Sequence, residues 1–589
     1  MVAIRHVHIS HFRGFSDFEL TFAGHAIVVG EPGAGRTDLV EALTRTLDPD
    51  YLRNRRGDEL DFYGLDTSTR AEVEVTLGSL GDTSISPLLP RVELWDRQVH
   101  SLVPELVEAS DFDEDRHEEV LRLTYRAEAQ TDGTFDEYVY WPKSARPTQE
   151  RATIASVAER AEIPFYSARA IAGRPIDLAV RSQFRKLANS KNGEDVERAV
   201  DRLLAALEQA AAEFSGQERV AAGLGDLLEP LRASRRMPMT RSASDLVRFL
   251  PAGGARSGIV RSLDAAIELD DGIELPVDRH GTNLMASLRA GLLLALASAD
   301  GDAIVVADDF GSDLDPLMAR YLAERLRSRA AQLIMTSRQP QLASAFRTEE
   351  IIRLSSPAAR VAASGKAIND LEGREMARFL TTQLIPAMSA SAVVVTDGPH
   401  DRMALDALAR RLAAVGRLAS FPAAGIALAD AEGTGSLRPL VASAKALGLY
   451  AVVLLDNDQA RGTPLPEAVQ NAADAADLAI LLPPRMALER LLFAGVSDAE
   501  IIRVVDAIGG GYAAVTVPPA LATLTGSDLR RTVAKFLKQT PSLHEAFVNE
   551  LADAELCPGA TVVLGLIYEQ IASRGRGLIR LREDFTPEP

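Results

Sequence analysis

Short runs of consecutive apolar residues, each ending in a turn, form the main pattern of this chain. Their length and β-branched content are typical of strands buried on both faces of a parallel sheet. Segments with apolar residues at helical spacing alternate with them, as in TDLVEALTRTL from Thr37. This alternation predicts an α/β protein. The clearest strand segments are AIVVG at 26–30, AIVVA at 303–307, QLIMT at 332–336, AVVVT at 392–396 and YAVVLL at 450–455.

The pattern also divides the chain into domains. The opening IRHVHISHFRGFSDFELTF predicts two strands, whereas EDVERAVDRLLAALEQAAAEF from Glu194 has the spacing of an amphipathic helix or of one arm of a helical hairpin. We therefore expect one α/β domain interrupted by a helical insertion, which could serve dimerisation or DNA contact, and a second α/β domain after it. The expected bounds are 1–180 and 261–365 for the first domain, 181–260 for the insertion, 366–390 for a linker helix, and 391–589 for the second domain with a C-terminal helical region.

Length and composition limit the class of protein. A chain of 589 residues is too long for one hydrophobic core, and 47% hydrophobic with 25% charged residues excludes fibrous and disordered classes. The single cysteine, Cys557, excludes an internal disulfide and a cysteine-rich metal site. The N-terminus lacks the apolar segment of a signal peptide, and runs such as AGLLLALASA from Ala290 fall well short of a membrane span. We expect a cytoplasmic protein with no membrane partner.

The charge of the chain has one local exception. A net charge of −19 argues against a broad surface that coats nucleic acid. Within LRASRRMPMTRSASDLVRF, however, basic residues are concentrated, which fits either a contact surface for a phosphate backbone or a solvated face or flexible loop. These residues are Arg232, Arg235, Arg236, Arg241 and Arg248.

The segment GEPGAGRT at 30–37 lies between a predicted strand and a predicted helix. Backbone N–H groups at such a helix N-terminus can bind a phosphate, and the loop pattern for this is G-x-x-x-x-G-K-[S/T]. Arg36 stands at the lysine position, while Thr37 keeps the hydroxyl. The segment predicts a phosphate-binding loop with Gly30, Gly33 and Gly35; the alternative is a glycine-rich turn before a helix.

Two later strands end in polar residues that we expect to lie next to this loop. AIVVA is followed by Asp308 and Asp309, and QLIMT is followed by Ser337 and Arg338. The carboxyl ends of parallel strands are where open α/β sheets bind ligands. In an ATPase the first acid holds Mg²⁺ and the next residue, a glutamate, orients the attacking water. Asp309 occupies that glutamate position, and its side chain is one methylene shorter. We predict that Asp308, Asp309 and Arg338 lie beside the glycine loop.

Two acidic motifs in the last third of the chain also follow apolar strands. Asp397 ends the first strand and Asp401 lies in the helix after it, while Asp456 and Asp458 end the second strand. On neighbouring parallel strands these carboxylates would meet at one edge of a sheet and repel each other unless cations were bound. Oxygen ligands favour Mg²⁺ or Mn²⁺. The motifs predict a metal site; the alternative is a set of surface carboxylates at strand ends.

The first domain resembles the ATP-binding-cassette (ABC) ATPases of the RecF and SMC group. The likeness rests on the opening strands with the glycine loop, on IPFYSARAI before the insertion, and on DDFGSDLDP and TSRQP, which resemble D-E-P-E-x-x-L-H-P and T-T-H-S-P. RHGTNLMASLRAGL keeps only a glycine and a helix of the S-G-x-Q signature. Lysine, glutamate and histidine of the group are replaced by Arg36, Asp309 and Arg338, and a planar guanidinium does not substitute for an ammonium in a closed loop. The resemblance therefore implies ATP binding with weakened or absent hydrolysis.

The second domain resembles the Toprim fold of topoisomerases, primases and the overcoming-lysogenization-defect (OLD) nucleases. Its patterns are h-h-h-E-G-x-x-D and h-h-D-x-D; Asp397 stands at the glutamate position, and the other acids match. The resemblance implies a further acid at Glu489 and a basic residue for the scissile phosphate at Lys535 or Lys538.

The order of domains, an interrupted ATPase followed by Toprim, is that of the OLD proteins. It implies a metal-dependent DNA endonuclease or nickase that assembles as a homodimer or higher oligomer. It further implies a role in phage defence, with a helicase-type partner. The alternatives are a scaffold in which both sites have decayed and an ATP-switched sensor that acts through a partner protein.

Overall fold

The computed structural model describes most of both predicted domains and little of the insertion. It covers residues 2–54, 57–80, 86–103, 112–142, 153–168, single positions between 198 and 213, 266–268, 274–355, 362–364, 378–511, 517–519, 521–539 and 542–588.

The strands are β1 Ala3–Phe12, β2 Phe15–Thr21, β3 Ala26–Gly30, β4 Ala71–Gly78, β5 Glu93–Asp96, β6 Ser101–Leu102, β7 His117–Ala129, β8 Phe135–Trp141, β9 Thr153–Ile154, β10 Phe165–Ser167, β11 Ala266–Glu268, β12 Glu274–Pro276, β13 Ile304–Ala307, β14 Gln332–Thr336, β15 Ile351–Leu354, β16 Ala362–Ser364, β17 Ala392–Thr396, β18 Ile426–Asp430, β19 Tyr450–Leu455, β20 Leu478–Leu481 and β21 Gly577–Arg580. The α-helices are α1 Arg36–Leu47, α2 Tyr51–Asn54, α3 Val157–Ala161, α4 Thr282–Ala299, α5 Pro316–Arg329, α6 Ile385–Ala387, α7 Pro399–Ala414, α8 Leu437–Ala446, α9 Glu467–Ala475, α10 Leu488–Leu491, α11 Asp498–Gly511, α12 Gly526–Leu537, α13 Ser542–Glu550 and α14 Pro558–Ser573.

An antiparallel sheet forms the first layer of the N-terminal domain. Its order is β2-β1-β4-β7-β5-β6, with β8 paired to β7 and β9 paired to β8. Along β1 the side chains of Val7 and Ile9 are fully buried and alternate with polar positions, the pattern of a sheet with one face on the core. This face packs on α1 and on one side of the next sheet, which places the glycine loop between the two layers.

The second layer is a mostly parallel sheet with the order β10-β13-β14-β3-β15-β16, in which only β16 is antiparallel. Its strands β3, β13 and β14 are buried throughout, because helices or the first sheet cover both faces. The carboxyl ends of β3, β13 and β14 therefore meet at one edge, as predicted for the glycine loop, the two aspartates and Arg338.

The C-terminal domain is built on a parallel sheet with the order β18-β17-β19-β20-β21. Strands β17 and β19 are direct neighbours, with Val395 opposite Val453. The helices α7 and α10 to α14 supply one large core against this sheet, so the C-terminal helical region predicted from the sequence is part of the same domain.

Helix α4 corrects one expectation from the sequence. It is long and apolar enough to cross a membrane by length and composition alone, whereas the apolar runs were expected to fall well short of a span. In the structure its side chains Ala290, Leu293 and Ala297 are buried in the core of the parallel sheet. The described positions between 198 and 213 are helical, as predicted. The arginine-rich segment at 232–248 lies outside the described residues.

Candidate functional site

The glycine loop has the backbone of a phosphate-binding turn. Gly30, Gly33 and Gly35 all have positive φ, at 143°, 74° and 91°, a region that disfavours side chains. Gly35 is the N-cap of α1 and supplies no side-chain hydrogen bond to the first turn. The amides of that turn are therefore directed to the loop, where an anion can accept from them.

Arg36 does not reach across this loop as a lysine would. Its Nη1 donates to the carbonyl oxygen of Gly30 at 2.6 Å, so the guanidinium is bound to the loop's own backbone. Burial lowers the pKa of Arg36, although the nearby Asp309 opposes this effect. The charge at the lysine position is thus kept, but its geometry differs from that of a lysine ammonium.

Asp308 and Thr37 have the arrangement expected for binding Mg²⁺ with a nucleotide. The Thr37 hydroxyl donates to Asp308 Oδ1 at 3.3 Å, and the Thr336 hydroxyl donates to the same oxygen at 2.8 Å. Loop, acidic strand and following strand are therefore connected by direct hydrogen bonds.

Asp309 and Arg338 neutralise each other. Arg338 Nε donates to both carboxylate oxygens of Asp309 at 2.8 Å, and Nη2 adds a further contact to the same carboxylate. Burial would raise the pKa of Asp309, but its hydrogen bonds and charge interaction with Arg338 lower it. The residues at the positions of the water-orienting acid and of the γ-phosphate-sensing histidine are therefore paired with one another.

The structure brings the acids of the C-terminal domain to one edge of its sheet. Asp397 follows β17, Asp456 and Asp458 follow the adjacent β19, and Asp401 is in the first turn of α7. Asp456 Oδ1 accepts from the backbone N–H of Leu488 at 3.0 Å, which brings α10 and its Glu489 to the same edge.

Burial and mutual repulsion dominate the electrostatics of this cluster. Burial, followed by the charges of Asp456, Glu489 and Asp397, raises the pKa of Asp401 to about 8. Burial, followed by the charges of Glu489, Asp458 and Asp397, raises the pKa of Asp456 to about 7. These are the shifts that burial and neighbouring negative charges produce in carboxylates held close together.

The donor atoms of the cluster suit a divalent cation. Asp397 Oδ1 is buried and has no hydrogen-bond partner among the residues that the structure describes. A cleft of about 370 Å³ lies against it, lined also by Asp456, Asp458, Thr434 and Gln459. Within the described ranges no three His, Cys, Asp or Glu side chains are placed closely enough to hold one ion as they stand. The residues fit an oxygen-ligated cation, and a closed shell requires their side chains to turn toward it.

Of the two candidate lysines, the structure brings one to the cluster. Lys538 Nζ lies 2.6 Å from Glu489 Oε1. Burial lowers the pKa of Lys538, but the hydrogen bond to Glu489 and the charges of the surrounding acids together raise it above its ordinary value. Lys535 is exposed in α12. Helix spacing alone does not distinguish them, because the choice depends on where α12 packs against α10.

Sequence reasoning missed a buried ion pair inside the N-terminal domain, whose arginine also donates to the backbone of the C-terminal domain at Leu447 and Gly448. Glu31 of the glycine loop accepts from Arg353 Nη2 at 3.0 Å, and Arg353 is fully buried in β15. The available signal was the charged residue within the apolar strand sequence IIRL, since arginine is rarely buried without a partner.

Comparisons with known proteins support the prediction for the C-terminal part. Residues 389–458 match the family model described as "Overcoming lysogenization defect protein-like, TOPRIM domain". No curated protein sequence matches the chain significantly. The predicted Toprim domain of the OLD-like type is confirmed, and the sheets and helices of the structure confirm the predicted α/β fold class.

Among solved structures, Smc head domains are similar to part of this chain. One is bound to the C-terminal winged-helix domain of ScpA, at 12% identity over 62% of this chain and 99% of that one, with a TM-score of 0.35. A second is a head with an extended coiled coil bound to the ScpA C-terminal domain derived from Pyrococcus furiosus, at 12% identity over 63% and 98%, with a TM-score of 0.33. A third is from Thermotoga maritima, at 11% identity over 61% and 97%, with a TM-score of 0.25.

Proposed function

We propose, from an OLD-like Toprim domain that follows an ABC-type ATPase domain, that this protein cleaves DNA phosphodiester bonds as an endonuclease or nickase that requires Mg²⁺ or Mn²⁺. The observation that carries the proposal is the buried, unpartnered oxygen of Asp397 beside carboxylates whose pKa values are raised. Clustered acids of this kind destabilise the fold through burial and mutual repulsion unless a bound cation compensates their charge.

Each acid is given a role by its position. Asp456 and Asp458, on one strand end, would bind cations; Asp397 would share in binding them or act as general base, and Asp401 and Glu489 would complete the set. Bound divalent cations supply an activated water and stabilise the leaving oxygen. Lys538, which pairs with Glu489 and keeps part of its side chain exposed, would contact the scissile phosphate.

We propose that the N-terminal domain binds Mg-ATP but hydrolyses it weakly or not at all. The loop amides, Thr37 and Asp308 retain the groups that bind a nucleotide. The ion pair between Asp309 and Arg338 removes the carboxylate that would orient water, and Arg36 is bound to the loop backbone.

The setting is proposed from the resemblance to OLD proteins. A cytoplasmic homodimer or higher oligomer acting in phage defence, with a helicase-type partner, agrees with a Toprim domain on an ABC-type domain. A scaffold or nucleotide sensor without cleavage activity is the alternative.

The test is cleavage of supercoiled and linear DNA by the purified protein with Mg²⁺ or Mn²⁺. The double variant Asp456→Ala, Asp458→Ala should lose cleavage while its circular dichroism spectrum and thermal unfolding stay cooperative. Asp477→Asn is the matched control, since Asp477 precedes β20 at the opposite edge of the same sheet and pairs with Lys445. Undiminished cleavage by the folded double variant would contradict the nuclease assignment and favour the scaffold.

A further inference from the structure

Arg353 is a buried cation with every N–H group satisfied. It lies in β15, the strand next to the glycine-loop strand β3, and its side chain is fully buried. Its guanidinium makes five hydrogen bonds, one to Glu31 and four to backbone carbonyl oxygens: Met388 at 3.0 Å, Leu447 at 3.3 Å, Gly448 at 2.9 Å and Ala390 at 2.6 Å. A guanidinium has five donors, so none remains for another partner.

The four carbonyl oxygens belong to two segments, one at the end of the predicted linker and one inside the C-terminal domain. Met388 and Ala390 lie in the turn that leads into β17, the strand that ends at Asp397. Leu447 and Gly448 lie in the turn that leads into β19, the strand that ends at Asp456. One side chain of the ATPase sheet therefore holds the starts of both strands that carry the acidic cluster.

The fifth hydrogen bond connects this arrangement to the glycine loop. Glu31 follows Gly30, and its carboxylate accepts from Arg353 Nη2 at 3.0 Å, while its backbone N–H donates to the Leu354 carbonyl at 3.2 Å. A Cβ atom at Gly30 would lie 2.0 Å from the Leu354 oxygen, so the loop and the end of β15 are in direct contact. A ligand that moves the loop must therefore act on Arg353.

We propose that Arg353 is a positioning residue that, through Glu31, couples nucleotide occupancy of the glycine loop to the placement of the two metal-bearing Toprim strands. The inference deepens the proposed function and rests on its nucleotide and metal sites.

The physical reason is that neighbouring parallel strands buried in a packed core move as units rather than bending. Asp397 lies seven residues beyond Ala390, roughly 23 Å of extended chain. Displacing the start of β17 relative to that of β19 therefore shifts the carboxylates at their far ends relative to each other.

The experiment is amide hydrogen exchange of the full-length protein in saturating Mg²⁺, with and without ATP. Wild type should change its exchange on adding ATP not only in the loop but also at 388–391 and 447–450. In Glu31→Ala this distant change should fall by about twofold to thirtyfold, the range for residues that carry coupling, while the change in the loop itself remains. Should Glu31→Ala fail to fold, Glu31→Gln, which keeps the shape and removes the charge, is held to the same criterion.

Glu350→Ala is the control variant, because Glu350 forms a comparably buried ion pair with Arg327 within the ATPase domain. It should leave the response at 388–391 and 447–450 as in wild type. The proposal is overturned if wild type shows no response there, or if the Glu31 variant responds as wild type does. DNA cleavage measured on the same preparations separates the two proposals, since absence of cleavage contradicts the nuclease and leaves the exchange result standing.

Discussion

At the scale of single residues, the acidic cluster lowers the free energy of unfolding by an amount that depends on pH. The pKa of Asp401 is raised to about 8 from an ordinary value of 3.8, so the folded state holds a proton that the unfolded state has lost between these values. Because the folded state then binds more protons, its stability falls as pH rises through this range. In the protein with bound cations this loss is offset, since cations replace the protons.

We predict that Asp401→Asn stabilises the metal-free protein relative to wild type by an amount that grows as pH rises from about 5 to about 8. The expected gain at alkaline pH is on the order of a few kcal/mol, because each unit of a pKa difference between folded and unfolded states corresponds to about 1.4 kcal/mol. The measurement is urea unfolding in a chelator across this pH range, repeated with Mg²⁺. A metal-free wild type whose stability is constant from pH 5 to above about pH 8 would contradict the prediction.

The two lysines offer a second test on single residues. Lys538 pairs with Glu489 at 2.6 Å, whereas Lys535 is exposed in α12. Lys538→Met should lower kcat for DNA cleavage by about a hundredfold, the usual effect of removing a charge that stabilises a transition state. Lys535→Met is the matched control and should leave kcat within about twofold of wild type, since surface changes away from a site have small effects. Equal decreases in both variants would show that neither lysine has the proposed role.

At the scale of elements, the strands could be predicted from sequence because each is an uninterrupted apolar run that ends in a turn. β3, β13, β14, β17 and β19 lie where those runs predicted. The polar residues at their ends could be assigned to sheet edges for the same reason. The choice between Lys535 and Lys538 and the pairing of Glu31 with Arg353 could not, because both depend on packing between elements distant in the chain: Glu31 and Arg353 are 322 residues apart.

The glycine loop and the ends of β13 and β14 beside it have to be considered together when ATP turnover is predicted. Phosphate release by the unmodified protein should be near background, with and without DNA. Restoring the pattern with Arg36→Lys, Asp309→Glu and Arg338→His together should raise hydrolysis more than any single change, because the three groups act on different parts of one transition state.

Each of these substitutions made alone is expected to leave ATP hydrolysis low, for a physical reason. In Arg338→His alone, Asp309 loses the partner that holds it through two hydrogen bonds at 2.8 Å. In Asp309→Glu alone, the longer acid stays beside the same arginine. Robust turnover by the unmodified protein that is abolished in Asp308→Ala would show that the site works as it stands.

At the scale of the whole molecule, a chain of net charge −19 must concentrate positive charge locally if it is to hold DNA. The described cleft at the Toprim edge does not supply it, since the charged residues that line the cleft are all aspartates and Lys538 is already paired with Glu489. The arginine-rich segment at 232–248 of the insertion is one such concentration of positive charge in the sequence. We therefore expect the insertion to supply much of the affinity for DNA and the Toprim domain to supply the chemistry.

This division of roles gives the prediction for DNA binding. Replacing Arg232, Arg235, Arg236 and Arg241 with Gln should weaken binding and flatten the dependence of log affinity on log salt. The slope should fall by roughly 0.9 for each arginine that binds a phosphate in wild type, because each such arginine releases a condensed counterion. The measurement is fluorescence anisotropy of labelled duplex DNA over a range of salt, with Asp456→Ala present throughout to prevent cleavage. Replacing Arg410 and Arg411, which pair with Glu545 and Asp553 on the Toprim surface, with Gln serves as the control for loss of arginine charge at another place on the molecule. A slope that is unchanged in the insertion variant, or that falls equally in the control, would show that this segment is a solvated surface and that DNA is held elsewhere.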